Sequence, residues 1–359
     1  MTPPNFTLTV VDQSPIRYGG TAADALRESV RLAQAAERFG YARYWVTEHH
    51  DSPGLAGSAP EILIGQIAAN TRSIRVGSAG VMLSHYSALK VAETFRILAA
   101  FYPGRIDLGI GRAPGSDQRT AWALAYPRQV ADVLHTFPRQ VVDVVGFLND
   151  KMAPEHPFAP IKAQPGEAPE GVPEVWLLGS SDYSAQLAAQ LGLPFAFADF
   201  FGRSEGDFGP QVAELYRREF EPSEYLREPK CNVTLQVFCA PTDAEAELVA
   251  ASTKLTTTRR RINFPDRRLL APEVAAKLLT EPPIAGRVEG FTQHMIVGSP
   301  DTVVKGVLAA AERYVTTDIG ISANTFNFAD RVRSFELVAE AFGLPRRDGA
   351  VAGMEAAKA

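Results

Sequence analysis

The residues best able to do chemistry stand at the end of one apolar run. Arg43-Tyr44-Trp45-Val46-Thr47 leads into Glu48-His49-His50-Asp51, and Ser52-Pro53-Gly54 then breaks regular structure. The run is aromatic and β-branched, as a buried strand requires. A strand that delivers carboxylates and imidazoles at its C-terminal end is how a parallel α/β protein builds an active site. Imidazole titrates near neutral pH, so a pocket histidine suits proton transfer. A structural histidine fixed by Glu48 or Asp51 is the other plain reading. Adjacent strand residues point to opposite sides, so one of the two histidines is expected to face the pocket. No metal is expected, because no His-x-His or His-x-x-Glu-His spacing supplies further ligands.

A second stretch, Leu177-Leu178-Gly179-Ser180-Ser181-Asp182-Tyr183-Ser184, carries different chemistry. A strand ends in a small-residue turn that opens a helix, leaving backbone N–H groups at the positive end of the helix dipole. Gly179 lets the backbone come close, and the hydroxyls of Ser180, Ser181 and Ser184 add donors, an arrangement suited to phosphate. Ordinary N-capping by Ser181 or Asp182 accounts for the same residues equally well. Arg112, at another strand end, reads as a clamp on the same phosphate or as a solvated arginine. Arg259-Arg260-Arg261 reads as a steering group for an anionic cofactor or as a solvated basic turn. Arg105 and Asp107 read as a structural pair, and Glu93 as the partner of a basic neighbour. His135, His156 and His294 fall outside the strand-end loops and receive no role.

The elements that must position these groups follow from periodicity and punctuation. Strands are expected at Leu8 to Val11, Arg43 to Thr47, Ile74 to Leu83, Arg105 to Gly111, Glu174 to Leu178, Phe195 to Phe200, Asn232 to Ala240 and Asp318 to Ala323. A short extra strand is expected at Met295 to Val297. Two glycines inside the third strand suggest a bulge or a close approach of a ligand to backbone. Helices alternate with the strands: Thr21 to Phe39, stopped by Gly40; Pro60 to Asn70; Ser87 to Phe101; Pro127 to Leu148; Ser181 to Leu191; Pro210 to Phe220; Thr242 to about Leu255; Asp301 to Tyr314; Ala329 to Phe342. Residues 150–173 form a proline-rich connector. Residues 256–292 break the rhythm and read as an insertion, a lid before the last strand. Mostly non-alternating apolar strands between helices imply a parallel sheet covered on both faces. Eight such units fit a closed (β/α)8 TIM barrel, one domain over residues 1–347, with a fraying tail at 348–359. No Gly-x-Gly-x-x-Gly follows the first strand, so the usual dinucleotide fingerprint is missing. In a barrel the strand-end loops share one face, which brings together Asp12-Gln13, Glu48 to Asp51, Ser84-His85, Arg112, Ser180-Ser181 and Asn324.

Bulk properties narrow the function classes. Net charge is −5 over 359 residues, with no long run of like charge, which argues against nucleic acid as a partner. No apolar run reaches membrane-spanning length, and the N-terminus lacks the basic and apolar regions of a signal peptide, so a cytoplasmic protein is expected. Cys231 and Cys239, the only cysteines, read as small buried hydrophobes.

Taken in order, several pieces resemble one family. These are Tyr44-Trp45-Val46-Thr47-Glu48-His49-His50, Val76 to Leu83, Ala92-Glu93, Gly104 to Arg112, Gly179-Ser180-Ser181 with Gly192-Leu193-Pro194, and Val297-Gly298-Ser299-Pro300. The chain resembles the bacterial luciferase-like flavin monooxygenases, in particular their single-subunit members. The resemblance implies a barrel with FMN at its C-terminal mouth. It implies that His49 lies beside the flavin and acts in proton transfer. It implies a non-proline cis peptide at Ala79-Gly80 against which the flavin ring packs, and phosphate contacts from Arg112, Ser180, Ser181 and Ser184. It further implies reduced FMN from a separate reductase, O2, a small organic substrate and a homodimer packed through the early barrel helices. Two departures stand out. The family often has Arg-Gly where this chain has Arg112-Ala113-Pro114-Gly115, and the luciferase subunits have a cysteine where this chain has Gly111, so bioluminescence is not expected. Two other readings use the same barrel: a coenzyme F420-dependent hydride-transfer enzyme, although those relatives usually show Asp-His where this chain has Glu48-His49, and a non-catalytic flavin-binding protein.

Overall fold

The computed structural model describes residues 6–347 apart from Pro114, 128–129, 202–206 and Pro265, and the expectation for the tail at 348–359 lies outside the described residues. The first half of the chain runs β1 (Thr7–Asp12), α1 (Ala22–Phe39), β2 (Arg43–Val46), α2 (Pro60–Ala69), β3 (Arg75–Ser78), β4 (Val81–Met82), α3 (Ala88–Phe101), β5 (Ile106–Gly111), α4 (Gln118–Ala125) and α5 (Val130–Leu148). The second half runs β6 (Glu174–Gly179), α6 (Asp182–Gln190), β7 (Phe195–Ala198), α7 (Phe208–Arg218), β8 (Cys231–Cys239), α8 (Asp243–Arg261), α9 (Pro272–Leu279), α10 (Val288–Thr292), β9 (Ile296–Gly298), α11 (Pro300–Tyr314), β10 (Asp318–Ser322) and α12 (Phe328–Ala341).

Local chemistry explains the boundaries. Thr21 opens α1 with a capping box shared with Asp24, and Gly40 closes it in the left-handed region at φ 92°. The buried stripe between them, including Ala25, Leu32, Ala33 and Ala36, recurs at helical spacing and packs on the sheet. Thr242 and Glu245 form the same box at the start of α8.

β1, β2, β3, β5, β6, β7, β8 and β10 pair in parallel in that order, and β10 closes the ring by pairing with both β8 and β1. This is the (β/α)8 barrel expected. Its interior is filled. Val11, Trp45, Trp176 and Ala196 form a buried cluster of their own, with Ala79 and Leu178 packed against it. Below that cluster, Trp45 donates its indole N–H to Asp107 at 2.9 Å, and Arg75 and Arg43 both pair with the Asp107 carboxylate. Arg105 instead donates to the backbone oxygens of Ala68, Thr71 and Ile74, so the expected Arg105–Asp107 pair is not made. Asp12 closes the first strand onto the last helix. Its buried carboxylate accepts from Arg331 at 2.6 Å and from the Tyr44 hydroxyl at 2.6 Å. Burial alone would raise its pKa, but Arg331 and the hydroxyl donors outweigh it and hold the carboxyl below its usual range. Among the described residues no helix is long and apolar enough to cross a membrane.

Four boundaries differ from expectation. The third strand is two short ones, β3 and β4, with a cis peptide at Ala79–Gly80 between them. The helix expected from Pro127 begins at Val130, and α4 precedes it. α8 continues to Arg261, so the break in rhythm begins after that residue rather than at 256. Arg259-Arg260-Arg261 is thus the last turn of a helix and not a basic turn. The described residues of the segment that follows pack onto α8 and the loops after β1 and β2. Ala275 and Ile284 form a small core with Ala251 and Leu255 of α8. Leu269 accepts the Tyr18 N–H at 2.7 Å, and Gly54 approaches the Arg267 carbonyl too closely for any side chain. These contacts stitch the segment across the loops after β1 and β2.

Candidate active site

The C-terminal strand ends enclose a cavity of about 270 Å³, and His49, Ala79, Gly80, Arg112, Gly179, Ser180, Ser181 and Ser184 all line it. Residues scattered over 136 positions of sequence (49 to 184) are therefore neighbours in one wall. Val11, Ala79, Leu178 and Ala196 make an apolar floor, resting on the tryptophan cluster inside the barrel. One side of the cavity is bare backbone. A Cβ at Gly80 would lie 2.7 Å from the Gly109 carbonyl oxygen, so the turn between β3 and β4 can lie this close to β5 only because residue 80 has no side chain.

The rim at the start of α6 gathers hydroxyls and backbone N–H groups. Ser181 is the N-cap residue, yet its hydroxyl makes no capping bond, and the Asp182 carboxylate takes only the Tyr183 N–H, at 2.8 Å. Ser181 therefore makes no side-chain cap to its own helix. A Cβ at residue 179 would stand 2.4 Å from Ser184 Oγ, so Ser184 can hold its hydroxyl at this rim only because residue 179 is glycine. Arg112 holds its guanidinium 3.8 Å over the Tyr183 ring, which seats a cation beside the same helix start. Three hydroxyls, helix N–H groups and a guanidinium are the donor set that a phosphate monoester needs. Among the described residues the one acidic residue in this wall is Glu48, and it is already engaged. Its buried carboxylate accepts from the Met82 N–H at 2.9 Å, the Tyr86 hydroxyl at 2.6 Å and His50 Nε2 at 2.8 Å.

The two histidines are thereby sorted. His50 is held by Glu48. His49 is anchored through its backbone N–H to Gly57 (2.8 Å), and its Nδ1 pairs with the Thr47 hydroxyl at 3.1 Å. Burial, then the positive charges of Arg260 and His50, pull its pKa down to about 4. It stands neutral at physiological pH, able to accept a proton.

A second chamber of about 440 Å³ adjoins the first, and His49 and Phe200 line both. His50 also lines this chamber, so the expectation that only one histidine of the pair faces the mouth is corrected. Gln13 and Asn324 reach it as the barrel geometry implied, whereas Asp12, Ser84 and His85 line neither cavity. Sequence reasoning missed Gln236, which meets His294 at 3.2 Å, and the face of α8 formed by Thr253, Thr256, Thr257 and Arg260. The spacing of that face, i, i+3, i+4, i+7, was the available signal. Among the described residues no group of three or more His, Cys, Asp or Glu side chains could hold a metal ion.

Comparisons with known proteins agree with this architecture. The family model for luciferase-like monooxygenases matches residues 6–317. The chain is 38% identical to a luciferase-like monooxygenase of Escherichia coli over 337 residues, covering 94% of this chain and 97% of that one. It is 36% identical to N-acetyl-S-alkylcysteine monooxygenase of Bacillus subtilis over 343 residues, covering 93% and 97%. The crystal structure of apo-MsnO8 superposes with a TM-score of 0.87 at 38% identity, covering 96% and 100%. More distant structures share the fold alone. They include the oxygenating constituent of 3,6-diketocamphane monooxygenase from Pseudomonas putida in complex with FMN (18% identity, TM-score 0.68, covering 94% and 98%). An F420-dependent secondary alcohol dehydrogenase is another (13%, 0.66, covering 94% and 99%). With a family match over most of its length and relatives aligned nearly end to end, the chain belongs to the luciferase-like monooxygenases.

Proposed function

We propose that the chain is an FMN-dependent monooxygenase that takes reduced FMN from a separate reductase and uses O2 to oxidise a small organic substrate. The observation that carries this reading is a single cavity joining an anion rim, an apolar floor with a bare-backbone wall, and a neutral histidine. Ser180, Ser181, Ser184 and Arg112 would hold the phosphate, with Gly179 leaving room for it. Ala79 and Gly80 would offer backbone to the flavin ring. Reduced flavin, when bound, would supply the oxygen activation. His49 would accept or return a proton at its imidazole, beside both cavities. The segment after α8 would exclude water from the mouth.

The reductase is part of the proposal because nothing after β1 supplies a pyridine-nucleotide fingerprint. A homodimer is proposed on the exposed apolar faces of α2 and α3, where Ile62, Ile97 and Phe101 stand 67%, 44% and 72% exposed. A cytoplasmic location suits a co-substrate handed over by a partner enzyme. The N-acetyl-S-alkylcysteine monooxygenase among the relatives makes thioethers sensible first substrates.

Fluorescence titration of the purified protein with FMN and with coenzyme F420 tests the cofactor. FMN should bind the more tightly, and Gly179→Ala should weaken it by about tenfold or more through the displaced Ser184, the loss of roughly one hydrogen bond to a charged group. Tighter binding of coenzyme F420, or an unaffected Gly179→Ala protein, would contradict the assignment.

A further inference from the structure

The chamber of about 440 Å³ on the far side of His49 has walls that a flavin does not need. A helix normally turns an apolar stripe inward. α8 instead presents Thr253, Thr256, Thr257 and Arg260 to this chamber. The Thr253 hydroxyl donates to the Asn324 carbonyl, and that of Thr256 to the Ser252 carbonyl at 3.0 Å. Among the described residues, Thr257 and Arg260 make no side-chain hydrogen bond.

The arginines of this region divide cleanly. Arg259 stacks on the Phe264 ring at 4.6 Å, Arg261 donates to the Phe201 carbonyl, and Arg268 pairs with Asp266 at 3.2 Å. Arg260 and Arg267 line the chamber, and among the described residues neither has a carboxylate within ion-pair distance or a side-chain hydrogen bond. The chamber's own acids are committed elsewhere. Asp117 accepts the Thr120 N–H at 2.9 Å and Asp51 the Thr120 hydroxyl at 3.4 Å, and neither is within ion-pair distance of Arg260 or Arg267, all four being exposed residues at the chamber's rim. Asn324 adds a second unmet group to the wall. Its Oδ1 is buried without a partner, while its Nδ2 donates to Gln13 Oε1. Arg260 and Arg267 thus stand in one chamber wall with no ion pair of their own among the described residues, and desolvation together with the neighbouring Arg261 and Arg267 guanidiniums lowers the Arg260 pKa. An anionic ligand offsets these like charges, and planar guanidinium groups match a carboxylate in two parallel hydrogen bonds.

We infer that this chamber seats an organic substrate through a carboxylate held by Arg260 and Arg267, with the body of the molecule directed at the wall shared with the flavin cavity. The inference rests on the proposed flavin reading, because it takes the space across His49 and Phe200 to hold the flavin. It deepens that reading by naming the substrate class. A volume of about 440 Å³ suits a molecule of modest size rather than a polymer.

The test is calorimetric binding of a panel of thioether carboxylates, N-acyl amino acids and aryl carboxylates, each paired with its methyl ester. Wild-type protein should prefer at least one acid over its ester by about tenfold or more, the size of a charge-assisted contact. Arg260→Gln and Arg267→Gln should each lower that acid's affinity by about tenfold while leaving the ester within about twofold, and Arg260→Lys should fall between. Thermal melting of each variant, with Arg260→Lys as the gentlest change, separates lost binding from lost folding. FMN titration of the same wild-type sample keeps the two readings apart. If FMN fails to bind while the Arg260-dependent acid preference persists, the flavin reading falls and the carboxylate site stands. If FMN binds but no acid is preferred over its ester, or the preference survives Arg260→Gln, the carboxylate site is overturned.

Discussion

His49 is held neutral by burial first and then by the positive fields of Arg260 and His50, with a pKa near 4 against 6.5 for a free imidazole. The linkage has a definite sign. Between pH 6.5 and about 4 the unfolded chain binds a proton there that the folded protein refuses. The stability that His49 contributes is therefore complete above pH 6.5 and is lost progressively as pH falls toward 4. In a pH titration of its imidazole NMR signals, His49 should stay neutral through pH 6, and a midpoint near 6.5 would contradict this. His49→Ala should cut product formed per bound flavin by about 10²- to 10⁴-fold, the usual range for acid–base groups, while FMN affinity changes little. Lost binding with unchanged turnover per bound flavin would remove His49 from the chemistry. The identity of this residue was legible, since Glu48-His49-His50 ends an apolar strand. Its protonation state was not, because Arg260 reaches it from a helix far along the chain. Likewise Ser180, Ser181 and Ser184 were readable as donors, but only coordinates could show that Ser181 leaves its own helix uncapped.

At the scale of elements, the glycines of β3 and β5 decide how closely the strands come together under the cavity. A Cβ at Gly109 would lie 2.0 Å from the Ser78 carbonyl oxygen, and one at Gly77 would lie 2.6 Å from Asp107. Gly109→Ala must push β5 off β3, and overpacking of this kind costs about 2–3 kcal/mol or more. Its melting temperature should drop by at least several degrees, since each kcal/mol shifts a chain of this size by about 2–4 °C or less. A melting temperature equal to wild type would show that the strands are free to adjust. The glycines of the third strand were read in the sequence as a bulge or a ligand's close approach, while their packing against the neighbouring strand was not legible. The break between β3 and β4 was foreshadowed by the glycines of this run and by the cis peptide that the resemblance implied at Ala79–Gly80, whereas the ends of the two short strands were not legible from the pattern. α8 was cut short for the opposite reason. Its last turns, Thr256 to Arg261, carry no apolar stripe, since the face turned inward there is polar and borders a chamber instead of a core.

For the molecule as a whole, strand–helix alternation and unbroken apolar strands made the barrel readable. Its closure depends on pairs too remote for pattern to reveal, such as Asp12 with Arg331. The apolar residues left outside that core bear on assembly. Phe101→Glu, on the exposed face of α3, should convert a dimer into a monomer in sedimentation velocity without lowering the melting temperature, whereas an unchanged sedimentation coefficient would move the interface elsewhere. Two cavities meeting at one neutral histidine are the feature to which the strands, the α6 rim and the inward face of α8 all contribute. The most direct test of that arrangement is isotopic. Protein loaded anaerobically with chemically reduced FMN and a thioether carboxylate is exposed to 18O2, and the product is weighed by mass spectrometry. A monooxygenase should give product carrying one atom of 18O in step with the flavin oxidised; flavin oxidation without label in any organic product would contradict the account.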